Sequence, residues 1–170
     1  MAARLNITRS ALYYYYKSKE ELFVAVGEFE FRNYESLLRK AVDSGQTTDE
    51  RFVAFCKCFL PMRKKFRDIY KLANDDFNFS MKAHRKFKSI ISSIHRAMFV
   101  EIFKKDRNIS AAGNLEHYAS LLTYSIRGIV FSSDELTIEQ LENDILGVCR
   151  IFCSGISGLR NTKKDSGRKD

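Results

Sequence analysis

Apolar positions return at helical spacing along nearly the whole chain, and the breaks between these runs divide it into segments. In residues 18–44, Leu22, Phe23, Val26, Phe29, Tyr34, Leu37, Leu38 and Ala41 keep a 3.6-residue repeat that stops at Gly45. This predicts one helix of ~40 Å, with Glu28, Glu30, Arg32, Glu35 and Arg39 as its wet face. Thr47-Thr48-Asp49-Glu50 reads as a capping box opening a second helix, with Phe52, Phe55, Cys56, Phe59 and Leu60 inward. Pro61 is expected to kink or interrupt that helix. The pattern resumes through Phe66, Ile69 and Tyr70, and Asn74-Asp75-Asp76 should break it.

Residues 80–105 predict a further helix, with Phe87, Ile90, Ile91, Ile94, Met98, Ile102 and Phe103 inward and Lys82, Arg85, Lys86, Lys88, Arg96 and Glu101 outward. Residues 106–113 read as a loop, with Ser110 a candidate helix start. Residues 115–131 differ in kind. Leu115, Tyr118, Ala119, Leu122, Ile126, Ile129 and Val130 form one stripe while Leu121, Tyr124, Gly128 and Phe131 occupy other sides, so this helix needs cover on two sides. Thr137-Ile138-Glu139-Gln140 caps a last helix through Leu141, Ile145, Leu146, Cys149, Phe152 and Ile156, antiparallel to the one before. The expectation is an all-α fold: a small head and connecting helix over 1–45, a helical body over 46–157, and a charged, disordered tail over 158–170.

Composition agrees and adds an electrostatic asymmetry. One proline and eight glycines in 170 residues suit long helices, and no run approaches the ~18 consecutive apolar residues of a membrane span. Met1-Ala2-Ala3-Arg4 does not lead into an apolar signal core, so a cytoplasmic protein without membrane contact is expected. The net charge of +8 is unevenly spread. Residues 1–19 carry Arg4, Arg9, Lys17 and Lys19 with no acid, which suits a surface facing phosphate. Residues 57–107 hold fourteen basic and five acidic residues, whereas 108–157 hold two and six. The middle block reads mainly as solvated helix faces, with a nucleic-acid or anionic-ligand role as the alternative.

Catalytic chemistry is not indicated. His84, His95 and His117 are scattered, no glycine-rich phosphate loop occurs, and no nucleophile sits in a recognisable elbow. The four cysteines form no CxxC pair and read as core thiols. No catalytic residue, metal or cofactor is expected.

The stretch with specific chemistry is near the start. Thr8 can cap a short helix whose inward residues are Leu12 and Tyr16, and Ser18-Lys19-Glu20-Glu21 is a capping box that begins the long helix. The run Leu12-Tyr13-Tyr14-Tyr15-Tyr16-Lys17-Ser18-Lys19-Glu20-Glu21-Leu22 resembles the second half of the helix-turn-helix of TetR-type regulators, whose pattern is Leu-Tyr-x-Tyr/His-aromatic, Lys-x-Lys, then Glu-x-Leu. The family places a full helix and part of the next before the point that corresponds to Met1, so a partial DNA-binding head is expected, with weak and poorly selective DNA binding by the chain as it stands. Resemblance implies a ligand-responsive regulator, a repressor, that binds a double-stranded DNA operator as a homodimer. A helical dimeric ligand-binding or interaction module that has lost specific DNA binding is the alternative.

A recognition helix lies in the major groove with its N-terminal residues at the base edges, which gives Thr8, Arg9, Ser10 and Ala11 to the DNA face, Arg9 being able to pair with guanine. By resemblance Tyr14 reaches the bases, while Tyr13, Tyr15 and Lys19 hold phosphates. The resemblance also assigns the dimer interface to the last two helices, with Leu122, Ile126, Ile129, Ile145, Cys149 and Phe152 as its candidates. A small, largely apolar effector is expected between the long helix and the 80–105 helix, among Phe29, Phe55, Phe59, Tyr70, Phe87, Ile91 and Tyr124.

Overall fold

Side-chain caps mark four of the six helix starts among the described residues, at Ser18, Thr47, Asp106 and Thr137. The computed structural model describes residues 14–76, 81–132 and 136–166, which form α1 (Lys19–Ser44), α2 (Thr48–Asp76), α3 (Met81–Lys105), the single-turn α4 (Arg107–Ser110), α5 (Leu115–Phe131) and α6 (Ile138–Ser166), with no strand among them. At the start of α2, Thr47 Oγ1 accepts the Glu50 amide at 3.1 Å, and Glu50 Oε2 accepts the amides of Gln46 and Thr47. The α6 cap has the same reciprocal form between Thr137 and Gln140. The turn before α5 passes through two successive left-handed residues, Gly113 (φ 72°) and Asn114 (φ 51°), types that tolerate this conformation.

Four boundaries differ from expectation. The α2 helix runs through Pro61 without interruption. Phe59, Leu60 and Met62 around it are buried while the proline is exposed, so packing on both sides outweighs the lost amide bond. Asn74-Asp75-Asp76 lie within the end of α2 instead of breaking it earlier. The 106–113 segment holds a helical turn begun by Asp106, not Ser110, because Asp106 Oδ1 accepts the amides of Asn108 and Ile109. Finally, α6 stays helical to Ser166 where the composition suggested disorder from 158. Its last residues contain no proline, and extending a nucleated helix costs far less than starting one.

The buried face of α1 is also rotated. Gly27, Phe31, Tyr34, Leu38 and Val42 are inside, whereas Val26, Phe29 and Leu37, which were read as inward, are exposed. The expected stripe joined members of two neighbouring faces. Inward residues of α2 and α3 fall as the pattern indicated, with Ile90 and Ile91 half-buried and Phe99 and Val100 added.

The helices close on one another in sequence and across it. α1 packs on α2 and α3, α5 on α3 and α6, and α6 returns to α2 and α4. One continuous cluster fills the interior. At the middle of α1, Phe31 stacks on Phe66 with centroids 4.4 Å apart, and Phe87 meets Phe31 edge-on at 5.3 Å. Deeper in the body, Phe55 and Phe59 enclose His95 at 5.0 and 4.9 Å, and Phe99 lies against Phe55. The start of α2 is tied to the middle of α6 by Arg150, which grips both carboxylate oxygens of Asp49 at 2.7 and 2.9 Å.

His95 is fully buried, and its Nε2 lies 2.9 Å from the Tyr34 hydroxyl. Both groups are neutral. Burial pushes the His95 pKa down to about 3, and burial first, then the nearby Cys58 and Cys56 thiols, raise the Tyr34 phenol well above its ordinary value. One proton is shared across the pair whichever neutral tautomer the imidazole takes. The unfolded chain protonates this histidine near its ordinary value of 6.5 while the folded chain does not, so folding stability falls as pH drops below 6.5. At pH 5 this group alone should lower stability by roughly 2 kcal/mol relative to pH 8. Urea unfolding at the two pH values checks this. The double variant His95→Leu/Tyr34→Phe, which removes both polar partners together, should lose distinctly less on acidification, and equal losses would show that His95 is not held neutral.

Candidate nucleic-acid interface

Tyr14 and Tyr15 are the last helical residues before the turn at Tyr16-Lys17-Ser18, and Ser18, in extended backbone (φ −147°, ψ 163°), opens α1. Its Oγ accepts the Glu21 amide at 3.1 Å. The reciprocal bond goes one residue further back than a simple capping box requires: Glu21 Oε2 accepts the Lys17 amide at 2.7 Å. The carboxylate therefore fastens the turn as well as the helix, which fixes the two tyrosines relative to α1.

Both rings project into solvent, 84% and 73% exposed, and meet edge-to-face with centroids 5.2 Å apart. Each carries a phenol on a stiff arm, a group that can donate to a phosphate oxygen or to a base edge. Tyr16 is half-buried, and Lys17 and Lys19 are exposed. Glu20 and Glu21 occupy the first turn of α1 and offset the positive end of its dipole. The positive charge here is therefore carried by the Lys17 and Lys19 side chains, not by the helix terminus. Thr8, Arg9, Ser10, Ala11 and Tyr13 lie outside the described residues.

The edge is anchored to the body one turn later. Phe23 packs on Phe87 of α3 at 5.7 Å, and a Cβ at Gly27 would lie only 2.4 Å from the tip of the same ring. Glycine at 27 thus opens a notch that Phe87 fills. Ion pairs flank it: Glu28 with Lys86 of α3, and Glu30 with Lys65 of α2 at 2.7 Å. This anchor escapes a reading based on apolar periodicity, since glycine contributes nothing to a hydrophobic stripe; a Gly within an otherwise regular helix was the available sign.

The expected effector residues do not converge. Phe55 and Phe59 belong to the cage around His95, Phe87 fills the Gly27 notch, and Ile91 is half-buried. Phe29 faces solvent at 56% exposure because α1 is rotated relative to the predicted stripe. The side chain of Tyr70 lies outside the described residues. Two hollows lie nearby, one between α1 and α3 and one between α3 and α5, and of the seven only Tyr124 lines either. Aromatic content here serves core packing, and a largely apolar pocket among these residues is not what they form.

The interface candidates need a similar correction. Leu122, Ile126, Ile145 and Cys149 are buried within the single chain, and Ile129 and Phe152 are half-buried against its core, so the set faces inward. The large apolar residues left outside are Leu121, Tyr124 and Phe131 on one face of α5, and Ile138 at the start and Ile151 in the middle of α6. Glycines share those faces: Gly128, Gly147, Gly155 and Gly158 each have open space where a Cβ would stand. The thiols are poor nucleophiles, since burial raises Cys149 and Cys58 and pushes Cys56 and Cys153 up to about 12.

Residues 1–26 match the family model described as bacterial regulatory proteins, tetR family. No curated protein matches the chain significantly. Among the described residues, no helix is long and apolar enough to cross a membrane.

The Gly27 notch makes a sharp prediction. Gly27→Ala should gain up to ~1 kcal/mol of helix propensity but lose ~1–3 kcal/mol by forcing apart a packed ring, for a net loss read as a lower urea midpoint. Pairing it with Phe87→Leu should recover part of that loss. A midpoint for Gly27→Ala at or above the wild type would show that Phe87 yields freely.

Proposed function

We propose, from the premise that a chain whose first 26 residues match this family is a TetR-type helix-turn-helix transcriptional regulator, that it is a homodimeric, effector-responsive repressor without enzymatic activity. Residues 1–45 supply the DNA-contacting head and the rod, and 46–157 the body that senses and dimerises. The observation that carries this reading is the exposed Tyr14 and Tyr15 pair, in the segment that matches the family, fastened by a double cap to a 26-residue helix whose next turn is wedged into the body. A rod held in this way converts a small displacement of α3 into a change of head position. Two heads of a dimer that must meet half-sites one DNA turn apart, ~34 Å, are sensitive to such a change.

Dimerisation through α5 and α6 is supported by their outer faces. Leu121, Tyr124, Gly128 and Phe131 form one helical stripe, and Gly147, Ile151, Gly155 and Gly158 another, combining large apolar side chains with glycines that allow close backbone approach. Such a surface has more apolar area than a solvated helix needs.

Two measurements test this. Binding to duplex DNA should be measurable and should weaken with salt. Tyr14→Ala should weaken it further by ~1–3 kcal/mol; indifference both to salt and to Tyr14→Ala would count against the DNA role. Sedimentation should give a dimer at micromolar concentration. Phe131→Asp/Ile151→Asp should sediment as a folded monomer, whereas Leu122→Asp should unfold the chain. A wild type that is monomeric at that concentration overturns the interface.

A further inference from the structure

We propose that the groove between α3 and α5 binds a small multivalent anion bearing phosphate or carboxylate groups. The hollow measures about 480 Å³ and has a wall from each helix. On α3 the residues Arg85, Lys88, Ser92 and Arg96 follow one another at helical spacing, and on α5 Arg127 lines the opposite wall. Four cations therefore line one hollow, and no carboxylate is among its lining residues.

The gathering of cations without a lining carboxylate sets this groove apart. Several cations elsewhere on the body are paired locally: Lys86 with Glu28, Lys65 with Glu30, Lys104 with Glu101, Lys105 with Asp43 and Arg150 with Asp49. Arg85 and Lys86 are neighbours in sequence, yet Lys86 is paired and Arg85 has no carboxylate partner among the described residues. The same is true of Lys88, Arg96 and Arg127, whose nearest polar link is a 3.4 Å contact from Arg127 to the Ser92 hydroxyl. Like charges gathered along one hollow, three on α3 and one on α5, repel, and an anion among them relieves the repulsion while accepting charge-assisted hydrogen bonds from guanidinium and hydroxyl donors.

Size and shape choose the ligand class. Arg85 and Arg96 are eleven residues apart, ~16 Å along the helix, so charges spread over several ångströms are matched better than a single compact ion. A duplex backbone does not enter a hollow walled by two helices, whereas a metabolite-sized anion does. The α3 helix carries both this groove, through Arg85 and Lys88, and the anchor of the rod, through Lys86 and Phe87. The consequence for DNA binding rests on the regulator reading above; the binding itself does not.

Calorimetric titration of the whole chain with tripolyphosphate in one arm and citrate in the other tests the site and separates phosphate from carboxylate recognition. Saturable binding of at least one is expected. Arg96→Ala/Arg127→Ala should weaken it by about tenfold or more, and Arg85→Ala/Lys88→Ala should weaken it independently. The charge-matched control Lys40→Ala/Lys57→Ala should leave it within about twofold. Absence of binding by the wild type, or equal weakening in the control, overturns the proposal. So does duplex DNA binding that falls in Arg96→Ala/Arg127→Ala while neither anion binds, which would assign the groove to nucleic acid. Anion binding without any salt-sensitive DNA binding would remove the regulator reading and leave the site standing, and the reverse would remove the site alone.

Discussion

The wedge of Phe87 into the notch at Gly27 is the contact on which the rest of the arrangement depends. It is the point where three helices meet: Phe31 of α1 stacks on Phe66 of α2, and Phe87 of α3 closes against Phe31 and Phe23. A side chain at 27 would separate α1 from α3 by the depth of a methyl group, and packed interiors do not absorb such a change without cost. Because the notch lies within the first three turns of α1, a shift there is passed on to Tyr14 and Tyr15, which are joined to the start of the same helix through the turn that the Ser18 and Glu21 bonds fasten. Rigidity of the cap and tightness of the wedge therefore act together. A loose cap would decouple the tyrosines from the rod, and a loose wedge would decouple the rod from the body.

Local chemistry was the most legible part of the sequence. The capping residues at 18, 47 and 137 mark helix starts because a hydroxyl three residues ahead of a Glu or Gln satisfies orphan amides by itself, with no help from the rest of the fold. Rotation of a helix about its axis was less legible. The α1 helix carries phenylalanine at 29 and 31, and only packing against Phe66 and Phe87 decides that 31 is inside. Pro61 misled for a related reason: its local penalty is real, but burial on either side exceeds it. In the same way, Leu122 and Ile145 read as interface residues because a helix apolar all round offers no mark of which side its own chain covers. Phe55, Phe59 and Phe87 turned out to be core residues because aromatics at helical spacing describe a core and a cavity equally well, and the difference lies in whether neighbours fill the gap.

Charge was misjudged less than it was left unresolved. The basic excess over 57–107 reads as solvated helix faces, and for Lys65, Lys86, Lys104 and Lys105 the faces are shared with acids of α1 or of the same helix. The sequence does not reveal which cations find partners, because the partner lies on another helix. Arg85, Lys88 and Arg96 at helical spacing were visible; that Arg127 faces them from α5, in a part of the chain otherwise acidic, was not. Exposed ion pairs of the first kind contribute little each to stability. Unpaired cations gathered around a concavity have a larger effect on what the surface attracts than on how firmly it folds.

Binding in the groove can influence the head only through a difference in affinity between two arrangements of α3. A ligand that held both equally would shift nothing, however tightly it bound, and a tenfold preference moves the balance by about 1.4 kcal/mol. The geometry supplies a route for such a preference. Arg85 and Lys88 flank Lys86 and Phe87 on the same two turns of α3, so drawing the first pair toward an anion rotates or translates the turn that holds the second. Lys86 and Glu28 form an exposed pair that can be remade at small cost, whereas Phe87 in its notch can be displaced only as a unit with α1. The stiff contact, not the ion pair beside it, is thus the element able to carry a displacement from the groove to the rod.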